Sequence, residues 1–82
     1  MYTLLLRYQV ISRQQVRKFD QKLERLAGEF NSYTGGGGEL VGDVREIEFY
    51  FDNESDVDEF SSEVLDLAHT LRVTILTLDI SL

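Results

Sequence analysis

The apolar residues of this 82-residue chain recur at two different intervals, and the order of those intervals limits the folds that the chain can adopt. Over residues 2–10 they occupy every second position, which is typical of a strand with one buried face. From Ser12 to about Asn31 they recur every three or four residues, which is typical of an amphipathic helix. The same two patterns return later, with strands predicted at residues 39–41, 44–51 and 72–80 and a second helix whose apolar stripe extends from Val57 to Leu71.

This βαββαβ order predicts a single ferredoxin-like domain over residues 1–82. Two right-handed split βαβ units give a four-stranded antiparallel sheet with both helices on one face. Ser12 is predicted to begin the first helix as its N-cap, with Gln15 three residues later in a capping box. Asn53 or Ser55 can cap the second helix.

Charge is distributed unevenly between the two halves of the chain. Residues 1–38 carry six basic and three acidic side chains, a net of +3, whereas residues 39–82 carry two basic and twelve acidic ones, a net of −10. The total is the formal −7 of the whole chain. Such a chain suits a basic partner and is poorly suited to a phosphate backbone.

Several kinds of chemistry are excluded or disfavoured by composition. The chain has no cysteine, which removes thiol catalysis and thiolate metal sites. His69 is the only histidine, and no residue is placed by sequence to complete a catalytic triad with it. The acids between Asp52 and Glu63 have part of the EF-hand spacing, but Val57 stands where that loop needs glycine. We therefore predict no catalytic residues, no metal site and no cofactor.

Direct binding of nucleic acid is not expected either. The four glycines at residues 35–38 follow a helix and precede no lysine, unlike a phosphate-binding loop, and they predict a flexible connection. On the open face of the sheet, Tyr50 is the only aromatic residue, and Glu46 and Glu48 accompany it. Leu5 and Tyr50 instead suit a protein contact or a dimer face.

The first helix holds most of the basic residues, interspersed with acids. We predict that they pair within that helix and with the acidic second helix. They are Arg13, Arg17, Lys18, Lys22 and Arg25.

The acids of the second helix form the candidate binding surface. They project opposite its apolar stripe and can keep the protein soluble, mimic the phosphate row of a nucleic acid, or dock into a groove lined by arginine and lysine. Glu39 and the neighbouring glycines would add an adaptable edge. The helix acids are Asp56, Asp58, Glu59, Glu63 and Asp66.

A short segment resembles a known family. The residues Leu-Glu-Arg-Leu-Ala-Gly-Glu-Phe at 23–30, followed by Tyr-Thr-Gly-Gly at 33–36, resemble the helix end and loop of the ribonuclease E inhibitor family. The resemblance implies a ferredoxin-like fold, an acidic chain and action by binding a ribonuclease.

The predicted function is a small, acidic, cytoplasmic protein that binds and inhibits or modulates a larger, basic, nucleic-acid-handling enzyme or complex. Ribonuclease inhibitors and phage anti-CRISPR proteins are two examples of this type. No apolar run approaches the roughly 20 residues that span a bilayer, so no membrane partner is expected. One alternative is a dimeric regulatory module that senses a small ligand. Another is a small enzyme with His69 as its polar group.

Overall fold

The computed structural model describes residues 1–30, 32–34, 39–41 and 43–82. They contain seven elements in the order βαβββαβ. These are β1 (Tyr2–Gln9), α1 (Arg13–Glu29), β2 (Tyr33–Thr34), β3 (Glu39–Val41), β4 (Val44–Phe51), α2 (Glu54–Leu71) and β5 (Ile75–Ser81).

The body of the sheet consists of three long antiparallel strands in the order β4-β1-β5. Two short strands, β2 and β3, both pair with β4 on its other side. The prediction of a four-stranded ferredoxin-like sheet with the order βαββαβ is therefore wrong. The sheet has three long strands and two short ones, since the segment between α1 and β4 forms two strands instead of one.

The two short strands differ in register against β4. Tyr33 lies opposite Tyr50 in β2, whereas Glu39 lies opposite Glu46 in β3. If β2 and β3 were one continuous antiparallel strand, Glu39 would lie opposite a residue two positions closer to the start of β4. The two short strands therefore cannot belong to one ladder. The predicted glycine connection and the predicted turn at Gly42 lie outside the described residues.

The core lies between the sheet and the two helices. Leu4 and Leu6 of β1 lie opposite Phe49 and Ile47 of β4, and all four are buried. Phe60 of α2 packs against this face, with its ring centroid 4.9 Å from that of Phe49. Burial of each such side chain contributes roughly 1.5–3 kcal/mol. The buried helix residues are Phe19, Leu23 and Ala27 of α1 and Val57, Phe60, Val64 and Ala68 of α2.

The beginning of α1 is as predicted. The Ser12 hydroxyl accepts a hydrogen bond from the Gln15 backbone N–H at 3.2 Å, which confirms Ser12 as the N-cap. The Gln15 side chain, however, donates to the Arg72 carbonyl oxygen at 3.3 Å. This contact connects the start of α1 to the end of α2.

The last strand begins three residues later than predicted. Arg72 has the left-handed conformation (φ 56°, ψ 42°) and ends α2, and its N–H donates to the His69 carbonyl oxygen. The Val73 N–H donates to the Ala68 carbonyl oxygen at 2.8 Å, so the chain is still turning away from the helix there. The strand therefore starts at Ile75.

Candidate functional site

The acids predicted to bind a partner lie mainly on one element, α2. Asp58, Glu59, Glu63 and Asp66 are exposed, and we call these four residues the α2 acidic face. Asp56 is half-buried, and its Oδ2 accepts a hydrogen bond from the Asn53 side chain at 3.2 Å. Asp56 thus has a local partner at the helix start, where a negative charge is favoured.

Glu39 does not join this group. Its backbone is in β3, opposite Glu46, on the side of β4 that faces away from β1. Helix α2 packs on the three long strands, β1, β4 and β5. The strand order therefore places Glu39 and the α2 acidic face in different parts of the molecule.

A groove of about 370 Å³ runs between the two helices. Leu26 of α1 and Leu67 of α2 are half-buried in it. The charged side chains that line this groove are two basic and one acidic from α1, and two acidic from α2. Lys22, Arg25 and Glu29 line it from α1, and Glu63, Asp66 and Thr70 line it from α2.

The predicted ion pairs between the helices do not form. Within the described ranges, the ion pairs are Arg7 with Glu46 and Arg45 with Asp20, and neither involves α2. The carboxylates of the α2 acidic face therefore have no ion-pair partner in that part of the chain. Their charge is available to a molecule outside the chain.

A second polar cluster joins α1 to the sheet. The hydroxyl of Tyr8 donates to Asp20 Oδ1 at 2.6 Å, and an Arg45 guanidinium nitrogen lies 2.6 Å from Asp20 Oδ2. Tyr8 is fully buried, and Asp20 and Arg45 are half-buried. Burial, followed by the hydrogen bond to Asp20, raises the pKa of the Tyr8 hydroxyl well above its ordinary range. The cluster therefore holds a protonated tyrosine and serves to attach α1 to β1 and β4.

Sequence reasoning did not identify this cluster, although a signal for it was present. Arg45 has the same parity along β4 as the buried Ile47 and Phe49, and its Cα lies opposite that of the buried Tyr8. An arginine at a core-facing position needs a carboxylate. Asp20, beside the buried Phe19 of α1, supplies that carboxylate.

The remaining candidates do not assemble into a site. His69 is exposed in the last turn of α2. No group of three or more metal-binding side chains occurs among the residues that the structure describes. On the open face of the sheet, the Tyr50 hydroxyl donates to Glu48 at 2.8 Å, and Arg7 lies 3.4 Å from Glu46. Across the described ranges, neither helix is long and apolar enough to cross a membrane.

No protein-family model matches this sequence, and no curated protein matches it. Two solved structures are similar in fold. The de novo designed protein Foldit4 is 9% identical with a TM-score of 0.80, over 99% of this chain and 96% of the design. A protein from Deinococcus radiodurans, provisionally described as an antibiotic biosynthesis monooxygenase, is 16% identical with a TM-score of 0.62. That match covers 99% of this chain and 88% of the other. At these identities, the likeness concerns the fold alone.

Proposed function

We propose that this chain is a binding protein that docks the α2 acidic face onto a basic surface of a larger protein. The observation that carries the proposal is the set of four exposed carboxylates that have no ion-pair partner within the described ranges. Charges of this kind attract and orient an oppositely charged partner before contact. An inhibitor or modulator of a nucleic-acid-handling enzyme in the cytoplasm is the form of this function that we favour.

The spacing of the carboxylates supports docking more than close imitation of a nucleic acid. Glu59, Glu63 and Asp66 follow one another at intervals of four and three residues, so they lie on one side of α2. At 1.5 Å per residue, they are about 6 Å and about 4.5 Å apart along the helix axis. One strand of DNA has a charge about every 3.4 Å of helix axis. The row is therefore sparser than a phosphate strand and suits a few separate arginines or lysines.

The test is a pull-down from cell lysate at low and high salt, read by mass spectrometry. The variant Glu59→Lys/Glu63→Lys/Asp66→Lys reverses three charges of the acidic face. The control Glu24→Lys/Asp43→Lys/Asp52→Lys makes the same change of net charge at exposed positions elsewhere. We expect a stoichiometric partner that is lost at high salt and with the first variant but retained by the control.

Two results would count against this proposal. If the face variant still captures the partner, α2 is not the docking surface. If the face variant and the control lose the partner equally, net charge and not the acidic face governs binding. Circular dichroism of both variants shows whether the fold is kept.

The groove between the helices favours a second candidate, a module that binds a small zwitterion such as a free amino acid. Lys22 and Arg25 would face the ligand carboxylate, and Glu63 and Asp66 would face its ammonium group. A thermal-shift screen of amino acids tests this candidate. A shift that disappears in both Arg25→Gln and Asp66→Asn would support it, and no shift with any amino acid would exclude that ligand class.

A further inference from the structure

The two edges of the sheet differ in how well they can accept another strand. On the β4 side, the edge consists of β2 and β3, which have two and three residues and different registers. On the other side, the edge is β5, a strand of seven residues that pairs only with β1 within the described ranges. Strand β5 contains no lysine or proline, the residues that commonly protect an edge. It is therefore the edge better suited to accept a further strand.

The register of β5 against β1 determines which of its backbone groups are already used. The Gln9 N–H donates to the Thr74 carbonyl oxygen at 2.9 Å. Because the backbone groups of successive residues point to alternate sides of a strand, the odd-numbered residues of β1 direct theirs toward β5. The β5 residues opposite them are Thr77, Asp79 and Ser81. These three residues therefore direct their own N–H and C=O groups toward β1.

The outward backbone groups of β5 belong to Leu78 and Ile80. These residues lie opposite Leu6 and Leu4, even-numbered residues of β1, so their N–H and C=O groups point away from β1. Their side chains lie on the helix face of the sheet, because Leu6 and Leu4 are buried there. The side chain of Asp79, between them, lies on the open face. The edge thus has two apolar positions on one face and an acid between them on the other.

Helix α2 extends the apolar part of this edge. Ile80 is 43% exposed, and Leu65 of α2 is 49% exposed. Leu65 lies about 200° around the helix from Glu63, which lines the groove against α1, so Leu65 faces away from α1. Helix α1 is attached to β1 and β4 through Asp20, so the side of α2 that faces away from α1 is the side nearer to β5. A strand added at β5 would cover apolar side chains on this face.

A second copy of the chain fits this edge poorly. The register shift leaves Leu76 opposite no residue of β1 and places it on the open face, where it lines a shallow pocket. A twofold axis through Leu78 would therefore match Leu76 with Ile80, whose side chain lies on the opposite face. An axis through Asp79 would place two carboxylates opposite each other, and an axis through Ile80 would pair only residues 78–82. The net charge of −7 also repels a second copy.

We propose that the β5 edge binds an extended basic segment of a partner protein, which adds a strand to the sheet. Apolar residues of that segment lie next to Leu78 and Ile80, and a lysine or arginine between them lies next to Asp79. Asp79 is exposed, is the one charge of β5 and forms no ion pair within the described ranges. This inference does not rest on the proposed function, since it uses no residue of the α2 acidic face.

Amide hydrogen exchange, followed by NMR on isotope-labelled protein, tests the proposal. The probe is the peptide Thr-Val-Arg-Val-Thr with both ends capped, which keeps the required pattern in either strand direction. In the free protein, we expect the N–H groups of Leu78 and Ile80 to exchange rapidly and those of Thr77 and Asp79 to be protected. The peptide should slow exchange at Leu78 and Ile80. No slowing there, or protection that appears only in the groove between the helices, would overturn the proposal.

A charge exchange tests the contact with Asp79. The peptide Thr-Val-Glu-Val-Thr should bind the wild type about fivefold more weakly than the arginine peptide, which is the upper range for an exposed ion pair. Asp79→Lys should prefer the glutamate peptide. The control Glu24→Lys makes the same charge change at an exposed position on α1 and should keep the wild-type preference. If Asp79→Lys also keeps the wild-type preference, the basic residue does not bind next to Asp79.

A concentration series without peptide distinguishes a partner segment from a second copy. If copies of this chain paired at β5, exchange at Leu78 and Ile80 would slow as the protein concentration rises, and the proposal would be refuted. Exchange that is independent of protein concentration but slowed by the arginine peptide would support it.

Discussion

At the scale of single residues, the most informative contact is the one that Asp20 makes with two partners at once. Its two oxygens receive the Tyr8 hydroxyl and the Arg45 guanidinium, each at 2.6 Å. A half-buried charge is tolerated when it is paired and hydrogen-bonded in this way. Three separate elements are thereby held together at one point: β1, α1 and β4.

Replacing Tyr8 by phenylalanine tests the value of this contact. Hydrogen bonds to charged groups contribute roughly 1.5–3 kcal/mol, and Asp20 keeps Arg45 in the variant, so we expect a loss of about 1.5 kcal/mol near neutral pH. Urea denaturation of Tyr8→Phe and wild type measures the loss.

The stability of the wild type and that of Tyr8→Phe should depend differently on alkaline pH. The pKa of Tyr8 is raised in the folded state above its ordinary value of 10.0, so the folded protein keeps this proton where the unfolded chain loses it. The contribution of Tyr8 to stability is therefore complete below pH 10 and decreases above it, by up to about 1.4 kcal/mol per pH unit. The stability difference between wild type and Tyr8→Phe should narrow above pH 10. A constant difference would mean that the hydroxyl ionises equally in both states.

The sequence predicts the apolar part of this region but not the polar part. Period-two spacing was sufficient to assign Leu4, Leu6 and Phe49 to the core side, because apolar residues show their burial directly. Arg45 has the same parity, yet an isolated arginine in a strand is usually read as exposed. The pairing with Asp20 depends on where α1 crosses the sheet, and local sequence does not specify that position.

At the scale of elements, the two helices begin differently. The Ser12 hydroxyl accepts the Gln15 N–H, whereas Asn53 makes no side-chain capping bond and instead donates to Asp56. Ser12 therefore binds the backbone of the first turn of α1 directly. The start of α2 has negative charges from Glu54 and Asp56 in its first turn, where the helix dipole favours them.

Alanine substitutions at Ser12 and at Asn53 should distinguish a cap that bonds the helix backbone from one that does not. We expect Ser12→Ala to lower stability by about 1 kcal/mol, because it removes the capping bond. For a domain of this size, that corresponds to roughly 4–8 °C in melting temperature. Asn53→Ala should cost less, since it removes no bond to the backbone of the helix end. Thermal melts of both variants provide the measurement, and equal losses would contradict this account.

Sequence patterns missed the elements that form because a neighbouring strand pairs with them and not because their apolar residues are regularly spaced. Two residues, Tyr33 and Thr34, are too few to show a period, and they form β2 only because β4 lies beside them. The start of β5 was placed too early because Val73 and Thr74, which precede it, are β-branched like the residues of the strand. The left-handed conformation of Arg72 ends the helix there without a glycine.

At the scale of the whole molecule, the net charge of −7 has opposite effects on a basic partner and on a second copy of the chain. It attracts a basic partner to the α2 acidic face, and it repels a second copy of the chain. Both effects weaken as salt shortens the range of electrostatic interactions, from about 30 Å at 0.01 M to about 3 Å at 1 M.

Salt should therefore weaken the association with a basic partner. We expect partner capture in the pull-down to decrease steadily as salt rises over this range. Capture that stays constant or increases with salt would contradict the electrostatic docking of α2.

The interruption between β2 and β3 has a consequence for how far assembly can proceed. Pairing β5 with the opposite edge of another copy would repeat without limit and produce a filament. That opposite edge consists of two short strands, β2 and β3, whose registers against β4 differ by two residues. It therefore offers no continuous strand to pair with. Pairing of β5 with β5 would use the continuous edges of both copies and would leave only the split edges outside. Growth of the sheet would then stop at two chains.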